Sequence, residues 1–303
     1  MKTRKSPKLK AAIRVQSKIL SKTAEVLRSL EFDQILPVIL SPVTDPLNHA
    51  VGMTEIDYYG DKVQLMKSMI FHKQITLLTL DRIFCYSPNV RLEPLEAIHT
   101  GRHLSEFTQL DLEVKNGTRD QLIQVGEILV SEIVEEVFKR CEPEMRVFQR
   151  SKPLINLPFA RLSYEEMMNK YGEFEDPETA LSMDSSQPVW IIDFPIDKRE
   201  FYDREDLNRP GTLIDMDLIY PEGYGEALSG GEREYQYHRI IKRMKKAGSN
   251  PEDFKAYLEI VRKGVSPSAG FGIGIERMTR WICGVERIEE VTLFPKCPGK
   301  ITI

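Results

Sequence analysis

Charged and aromatic side chains are concentrated between residues 91 and 111, in the stretch RLEPLEAIHTGRHLSEFTQLD. Two alternating runs, residues 83–93 and 107–114, predict a hairpin with a long polar connection. Alternate residues of a strand share a face, so Arg91 lies beside Glu93 and Phe107 lies beside Asp111. An arginine for a phosphate, an aromatic ring for a base and a carboxylate for an amine together predict a site for a nucleotide and an amino acid.

The stretch SAGFGIGIERMTRWICG, residues 268–284, is the second feature that could bind a nucleotide. A dinucleotide-binding loop would read G-x-G-x-x-G near the start of a βαβ unit, whereas here the third glycine is one residue early and the stretch lies near the end of the sequence. In a strand, Gly270, Gly272 and Gly274 would share one face and leave a strip on which a flat ring could lie. Close packing against a helix would also use such a strip. Arg277, at the start of the following helix, could stack on a ring and reach a phosphate.

The elements that must position these residues are a mixture of strands and helices. Helical periodicity is seen in residues 11–30, in LIQVGEILVSEIVEEVFKRC, in EYQYHRIIKRMKKAG and in PEDFKAYLEIVRKG, whereas FDQILPVILSP, VWIIDF and LIDMDLIYP are typical of strands. Ser163 and Glu166 form a capping-box pattern, and residues 172–188 are polar and irregular, as in a variable insertion. Because hairpins occur and strands do not alternate with helices one for one, we expect an α+β fold with a mixed, mainly antiparallel sheet.

Composition excludes several classes of protein. The 303 residues are 41% apolar with a net charge of −4, as in an ordinary globular protein, and contain no apolar run long enough for a membrane span. Residues 1–10 are basic, and we expect a flexible tail there. The four cysteines form no CxxC pair, which fits a reducing cytoplasm. No basic patch for a nucleic acid stands out beyond the first 30 residues.

Three ordered motifs resemble those of class II aminoacyl-tRNA synthetases. FDQILPVILSP is similar to motif 1, RLE…GRHLSEFTQLDLE to motif 2 and GFGIGIERM to motif 3, and EFTQLD points to the aspartyl/asparaginyl branch. The resemblance implies one synthetase-like catalytic domain over residues 11–303. It also implies a homodimer through the motif 1 region around Pro37. Since motif 1 begins about 30 residues in, no anticodon-binding domain is expected before it.

The resemblance implies roles for individual residues. Arg91 and Arg277 would be catalytic, gripping the α- and γ-phosphates of ATP, with Glu93 on the adenine amino group and Phe107 stacked on the ring. The full ATP-binding set would be Arg91, Glu93, Arg102, His103, Phe107, Glu226, Gly274 and Arg277. Asp217 and Glu226 would hold Mg²⁺, which prefers carboxylate and phosphate oxygens.

The amino-acid substrate would be bound by a second group of residues. The resemblance assigns Arg233 and Lys67 to a carboxylate, with Gln64 close by, and Asp111 to the α-amino group. Two cations at the side-chain end favour aspartate over asparagine, although Lys67 could instead be a solvated helix lysine. The stretch SPVTDPLNHAVGMTE departs from the lid of the branch, and we expect Asp45 or Glu55 to take over a role there.

The strings SPVTDP, HKQ, SGGERE and PSAGFGIG resemble the archaeal asparagine synthetases that are related to asparaginyl-tRNA synthetase. That resemblance implies an enzyme that makes asparagine from aspartate, ammonia and ATP through a β-aspartyl adenylate, releasing AMP and pyrophosphate. ATP and Mg²⁺ would be its cofactors, with no tRNA and no membrane as partner. Two alternatives stay open: a truncated synthetase-like enzyme that transfers the activated amino acid to tRNA or a protein, and an inactive paralogue that senses amino acids.

Overall fold

The structure, a computed structural model, describes residues 6–302. Within that range the strands are β1 (Asp33–Gln34), β2 (Leu40–Ser41), β3 (Glu55–Tyr58), β4 (Asp61–Leu65), β5 (Arg82–Val90), β6 (Glu106–Lys115), β7 (Arg161–Ser163), β8 (Val189–Ile192), β9 (Asp215–Tyr220), β10 (Gly225–Arg233), β11 (Ser268–Gly274), β12 (Lys296–Cys297) and β13 (Lys300–Ile301). The helices are α1 (Pro7–Ser29), α2 (Ile70–Thr76), α3 (Arg119–Arg140), α4 (Glu142–Phe148), α5 (Tyr164–Tyr171), α6 (Pro177–Asp184), α7 (Tyr237–Ala247), α8 (Lys255–Lys263) and α9 (Ile275–Cys283).

Eight strands form the central sheet in the order β1-β5-β6-β11-β10-β9-β8-β7. All neighbours in it are antiparallel except the outermost pairs, β1 with β5 and β7 with β8. The predicted mixed, mainly antiparallel sheet flanked by helices is therefore confirmed. The expected hairpin is β5–β6, and its long connection contains a 3-10 helix over Leu95–Thr100.

One face of the central sheet packs on the long helices α1 and α3 and on the shorter α9. Phe271 and Ile273 of β11 belong to this core together with Ile133 of α3 and Trp281 of α9. Alternation then turns the glycines of β11 towards the opposite face. The site therefore has to lie on the face that the long helices leave uncovered.

A second, smaller core joins α2, α7 and α8. Phe71 of α2 contacts the rings of Phe201 and Tyr257, and Met244 of α7 is buried in the same cluster. This cluster supports α2 and the loop after β8, both of which reach the uncovered face of the sheet.

Several predicted boundaries need correction. The motif 1 segment is not one strand, since residues 35–39 lie between β1 and β2 outside any strand, and Leu36 beside Pro37 is 90% exposed. The homodimer expected there stays a prediction. Helix α1 begins at Pro7, inside the predicted tail, while residues 1–5 of that tail lie outside the described residues. Between residues 6 and 302, no helix has the length and apolarity needed to cross a membrane.

Candidate active site

A cavity of about 310 Å³ lies over β6, β10 and β11 on the uncovered face of the sheet. Ten of the thirteen predicted site residues line it: Arg91, Glu93, Arg102, His103, Phe107, Asp111, Glu226, Arg233, Gly274 and Arg277. The predicted residues Gln64, Lys67 and Asp217 do not line it. The hairpin and the glycine strand thus meet at one place, as their side-chain alternation predicts.

The glycines of β11 form a shorter floor than predicted. Gly272 and Gly274 line the cavity. A Cβ at Gly274 would meet only the Arg277 side chain, at 3.5 Å, whereas a Cβ at Gly272 would overlap the Gln109 side chain, so only Gly274 leaves an open surface. A Cβ at Gly270 would instead overlap the Glu113 carboxylate, so this glycine is covered and does not contribute to the floor. The backbone has extended φ values at all three positions, which excludes a phosphate nest of the dinucleotide-binding kind.

Two arginines lie on opposite sides of the position predicted for a nucleotide. The Arg91 Nε donates to the carbonyl oxygen of Lys67 at 3.0 Å, and its guanidinium lies 5.2 Å from the centre of the Phe107 ring. Arg277, in the first turn of α9, forms an ion pair with Glu226 at 3.1 Å. Both guanidinium groups keep donors that a phosphate could use.

His103 and Arg102 extend this positive region. Burial, together with the charges of Arg277 and Arg102, lowers the pKa of His103 to about 4. The imidazole is therefore neutral at pH 7, and its Nδ1 lies 2.6 Å from the Thr100 hydroxyl. The positive charge in this part of the cavity comes from the arginines alone.

Glu93 is held by a residue that the sequence analysis did not single out. His49 lines the cavity from the loop after Asp45, and its Nε2 lies 3.0 Å from the Glu93 carboxylate. Hydrogen bonding to Glu93 raises the pKa of His49. Burial alone would raise the pKa of Glu93, but the hydrogen bond and charge of His49 outweigh it and the net shift is downwards.

Carboxylates collect beside Arg277. Asp217 is buried, and its Oδ2 accepts from Arg199 at 2.6 Å, while its Oδ1 has no hydrogen-bond partner. Glu178 of α6 lines the cavity, and burial together with the charges of Asp217 and Glu226 raises its pKa to about 7. Residues 172–188, predicted to be an irregular insertion, therefore form a capped helix that contributes to the site.

The donor set of these carboxylates suits Mg²⁺ in part. Among residues 6–302, no three His, Cys, Asp or Glu side chains are placed to hold a metal ion by themselves. Mg²⁺ at nucleotide sites uses one or two carboxylates and completes its shell with phosphate oxygens and water. Glu226 lines the cavity and fits that arrangement, whereas Asp217 is buried outside the lining and offers only its unpartnered Oδ1.

The lysine that lines the cavity is Lys73, whereas the predicted Lys67 does not line it. Lys67 lies in a bend between β4 and α2, where burial lowers its pKa. Gln64 belongs to the outer sheet of β2, β3 and β4. Lys73 is 2% exposed and its Nζ lies 2.7 Å from Asp111, which lines the cavity. The sequence signal for it was a lysine among apolar residues in IFHKQIT, within a string already noted for its resemblance.

Arg233 is held by several groups of the protein. Its Nε donates to Glu113 at 3.1 Å, its Nη1 to Asp203 at 3.1 Å and its Nη2 to the carbonyl oxygen of Gly270 at 2.8 Å. All three partners are buried neighbours from other strands or loops. Since a guanidinium has five N–H donors, Arg233 keeps a donor for a ligand in the cavity that it lines.

The lid residue at the cavity is Asp45. It is 5% exposed and accepts hydrogen bonds from the Tyr202 hydroxyl, at 3.0 Å, and from the Leu47 N–H, at 3.0 Å. Glu55, the other predicted candidate, is on β3 and pairs with Lys62 away from the cavity. Burial and the charges of Asp45 and Asp203 raise the pKa of the nearby Glu200 to about 7.

Charged side chains are crowded around Lys73 and Arg233. Lys73 pairs with Asp111, and Arg233 pairs with Glu113 and Asp203, while Arg199 and Arg243 also act on Asp203. Because Lys73 and Arg233 are already paired with carboxylates of the protein, they are not the two free cations that the expected acidic substrate requires.

Comparison with known proteins identifies the family. The model of the class II tRNA synthetases (D, K and N) matches residues 1–298. The chain belongs to this family. It is 29% identical to an asparagine–tRNA ligase from Pyrococcus abyssi and 31% identical to one from Pelotomaculum thermopropionicum, over 98% and 96% of this chain and 70% of each relative.

Solved structures agree with this membership. The asparaginyl-tRNA synthetase of Pyrococcus horikoshii complexed with asparaginyl-adenylate matches with a TM-score of 0.90 and 26% identity, over 98% of this chain and 71% of that one. The aspartyl tRNA synthetase from Entamoeba histolytica matches with a TM-score of 0.79 and 27% identity, over 97% of this chain and 59% of that one.

These comparisons correct the functional expectation. The prediction of an enzyme that makes free asparagine from aspartate and ammonia is wrong, because similar proteins along nearly the whole chain are named asparagine–tRNA ligases. The prediction that tRNA is not a partner is wrong for the same reason. The alternative of a synthetase-like enzyme acting on tRNA agrees better with the relatives.

Proposed function

We propose that this protein activates asparagine with ATP and transfers it to tRNA. The observation that supports this most strongly is the similarity, along 98% of the chain, to a synthetase complexed with asparaginyl-adenylate. The cavity has arginines at one end and an acidic amino-acid pocket at the other. The predicted cofactors, ATP and Mg²⁺, are confirmed at the level of the family, since an aminoacyl-adenylate is made from ATP.

In the first step the α-carboxylate of asparagine attacks the α-phosphorus of ATP, and pyrophosphate leaves. Arg91 is placed to stabilise charge on the α-phosphate, and Arg277 charge on the departing pyrophosphate. Phe107 and the floor at Gly274 would hold the adenine ring from two sides. Mg²⁺, held by Glu226 and Asp217 with the phosphates, would neutralise charge on the leaving group.

In the second step a ribose hydroxyl at the 3′ end of tRNA attacks the acyl carbon, and AMP leaves. The acidic pocket orients the intermediate by its ammonium group, for which Asp111 keeps its buried Oδ2 without a hydrogen-bond partner. A neutral side-chain amide suits this pocket better than a side-chain carboxylate would, because Lys73 and Arg233 are already paired with carboxylates of the protein.

Exchange of labelled pyrophosphate into ATP, followed by charging of an asparagine tRNA transcript, tests both steps. We expect asparagine to support exchange at least tenfold better than aspartate. Arg91→Ala should lower the exchange rate roughly 100- to 1,000-fold, as the loss of one charge-stabilising donor does elsewhere. Arg82→Ala is the matched control, because Arg82 is at the other end of β5 and does not line the cavity.

The outcomes separate the parts of the proposal. Faster exchange with aspartate than with asparagine would reject the substrate. Exchange with asparagine but no charged tRNA would reject the acceptor. An Arg91→Ala enzyme as active as the Arg82→Ala control would reject the assignment of the phosphate contact.

A further inference from the structure

The cations of helix α7 fall into two groups, one bound inside the protein and one exposed. Its sequence YHRIIKRMKKA contains five cations and no acid. Both arginines are used inside the protein: Arg239 pairs with Glu205 at 3.2 Å and Glu234 at 3.0 Å, and Arg243 donates to the carbonyl oxygens of Glu200 and Asp203. The three lysines are left for the outer face.

We call Lys242, Lys245 and Lys246 the α7 stripe. Their spacing of three and four residues puts them on one face of the helix, and all three are exposed. In the part of the chain that the structure describes, none of the three forms an ion pair. Buried Ile240 and Met244 anchor the opposite face in the smaller core, so the stripe is held on a rigid support.

The other lysine-rich helix of the protein behaves differently. On α1, Lys18 and Lys22 lie beside Glu136 and Glu132 of α3, at 3.8 and 3.0 Å. Arg14 pairs with Glu144 of α4 at 3.0 Å. Among the described residues, Arg14, Lys18 and Lys22 of α1 are therefore paired with acids of neighbouring helices, whereas Lys242, Lys245 and Lys246 form no ion pair.

The α7 stripe is also close to the cavity. Arg243 contacts the backbone of Glu200 and Asp203, and both of these residues line the cavity. A helix with its side chains is about 10–12 Å across, so the stripe lies roughly one helix diameter from the cavity wall. A polyanion bound there would lie beside the site where the amino acid is activated.

From these observations we infer that the α7 stripe binds backbone phosphates of the tRNA that the cavity serves, an inference that rests on the proposed function. Exposed lysines bind phosphates as point charges and release counterions, so binding through them weakens as salt rises. Cations near the C-terminus of a helix are stabilised by the helix dipole, which would explain Lys245 and Lys246 in the last turn of α7. It would not explain Lys242, which lies before that turn.

The test compares Lys242→Ala/Lys245→Ala/Lys246→Ala with a control of equal charge change, Lys8→Ala/Lys10→Ala/Lys139→Ala, whose lysines are exposed on α1 and α3. Filter binding of an asparagine tRNA transcript is measured from 50 to 300 mM KCl. We expect the α7 variant to bind roughly tenfold more weakly at the lowest salt, and its slope of log K against log salt to fall by about 2 to 3. The control should keep the wild-type slope.

Asparagine-dependent pyrophosphate exchange and thermal unfolding should be unchanged in the α7 variant, because the stripe contacts neither the cavity nor the core. Wild-type binding by the α7 variant would overturn the inference, as would equal weakening in the control or a loss of stability that explains the defect. If the wild-type protein binds the transcript but never charges it, the proposed function fails while the binding comparison still decides the role of the stripe.

Discussion

Replacement of Lys73 by methionine tests the buried charge arrangement in the wall of the cavity. The Lys73 ammonium is 2.7 Å from Asp111 and 3.8 Å from Glu113, and it also donates to the carbonyl oxygen of Phe271 at 3.3 Å. All of these groups are buried. Methionine keeps the length of the side chain but removes the charge, so the buried Asp111 carboxylate loses its cation.

The expected cost is about 3–5 kcal/mol of unfolding free energy, the usual effect of removing one partner of a buried ion pair. An unfolding entropy of roughly 2.1 cal/mol/K per residue, applied to 303 residues, converts this to about 5–8 °C of Tm. Burial raises the pKa of Asp111 already, and Lys73 opposes that shift. In the variant the pKa rises further, and the carboxyl can escape part of the cost by taking up a proton.

The sign of the pH dependence follows from this proton uptake. A carboxyl whose folded pKa lies above its unfolded value of roughly 4 binds more protons in the folded state, so stability falls as pH rises between the two values. The deficit of Lys73→Met should therefore be small near pH 5 and full near pH 8. Thermal unfolding followed by circular dichroism across that range measures it, and Lys73→Met/Asp111→Asn should recover at least half of the loss. A deficit that stays the same at every pH, or a double variant no more stable than the single one, would refute this reasoning.

Two further predictions concern the lid and the glycine strand. The charge of His49 should persist above pH 6.5 and disappear only as pH rises through its raised pKa; proton NMR titration should show this pKa falling in Glu93→Gln, and an unchanged value would contradict the pairing. Gly270→Ala should destabilise the fold by roughly 3 kcal/mol or more, since its Cβ overlaps the backbone of β6 as well as Glu113, whereas Gly274→Ala should leave Tm within about 2 °C. Equal Tm values for these two variants would show that β11 can shift away from β6.

The fold and the phosphate end of the cavity could be predicted from sequence because their signals are local. Alternation along residues 83–93 and 107–114 predicts the hairpin, and alternation along β11 predicts which face the glycines share. Arg91, Phe107 and Arg277 follow directly from these elements. The prediction failed at Gly270, where the side chain of a neighbouring strand, Glu113, covers the glycine.

The amino-acid end could not be predicted because its interactions join distant parts of the chain. Lys73 meets Asp111 across 38 residues, and Arg233 meets Glu113 across 120. From the sequence alone, Lys67 is as plausible a candidate as Lys73. Only the fold around α2 shows that Lys73 is the lysine that lies against Asp111 and lines the cavity. Counting cations near a site from sequence therefore misleads when the neutralising carboxylates come from other strands.

The pairing of Lys73 and Arg233 with carboxylates from other strands makes the two ends of the cavity differ in charge. Arg91, Arg102, Arg199 and Arg277 lie at one end with the carboxyl groups of Glu93, Glu178 and Glu226, and the neutral His103 adds no charge there. At the other end carboxylates outnumber cations, and two of them, Asp111 and Asp203, are held in place by Lys73 and Arg233. A ligand with phosphates at one end and an ammonium group at the other can lie in such a field in only one direction. An aminoacyl-adenylate has that distribution of charge, with its phosphate near the arginines and its ammonium group near Asp111, as the proposed function requires.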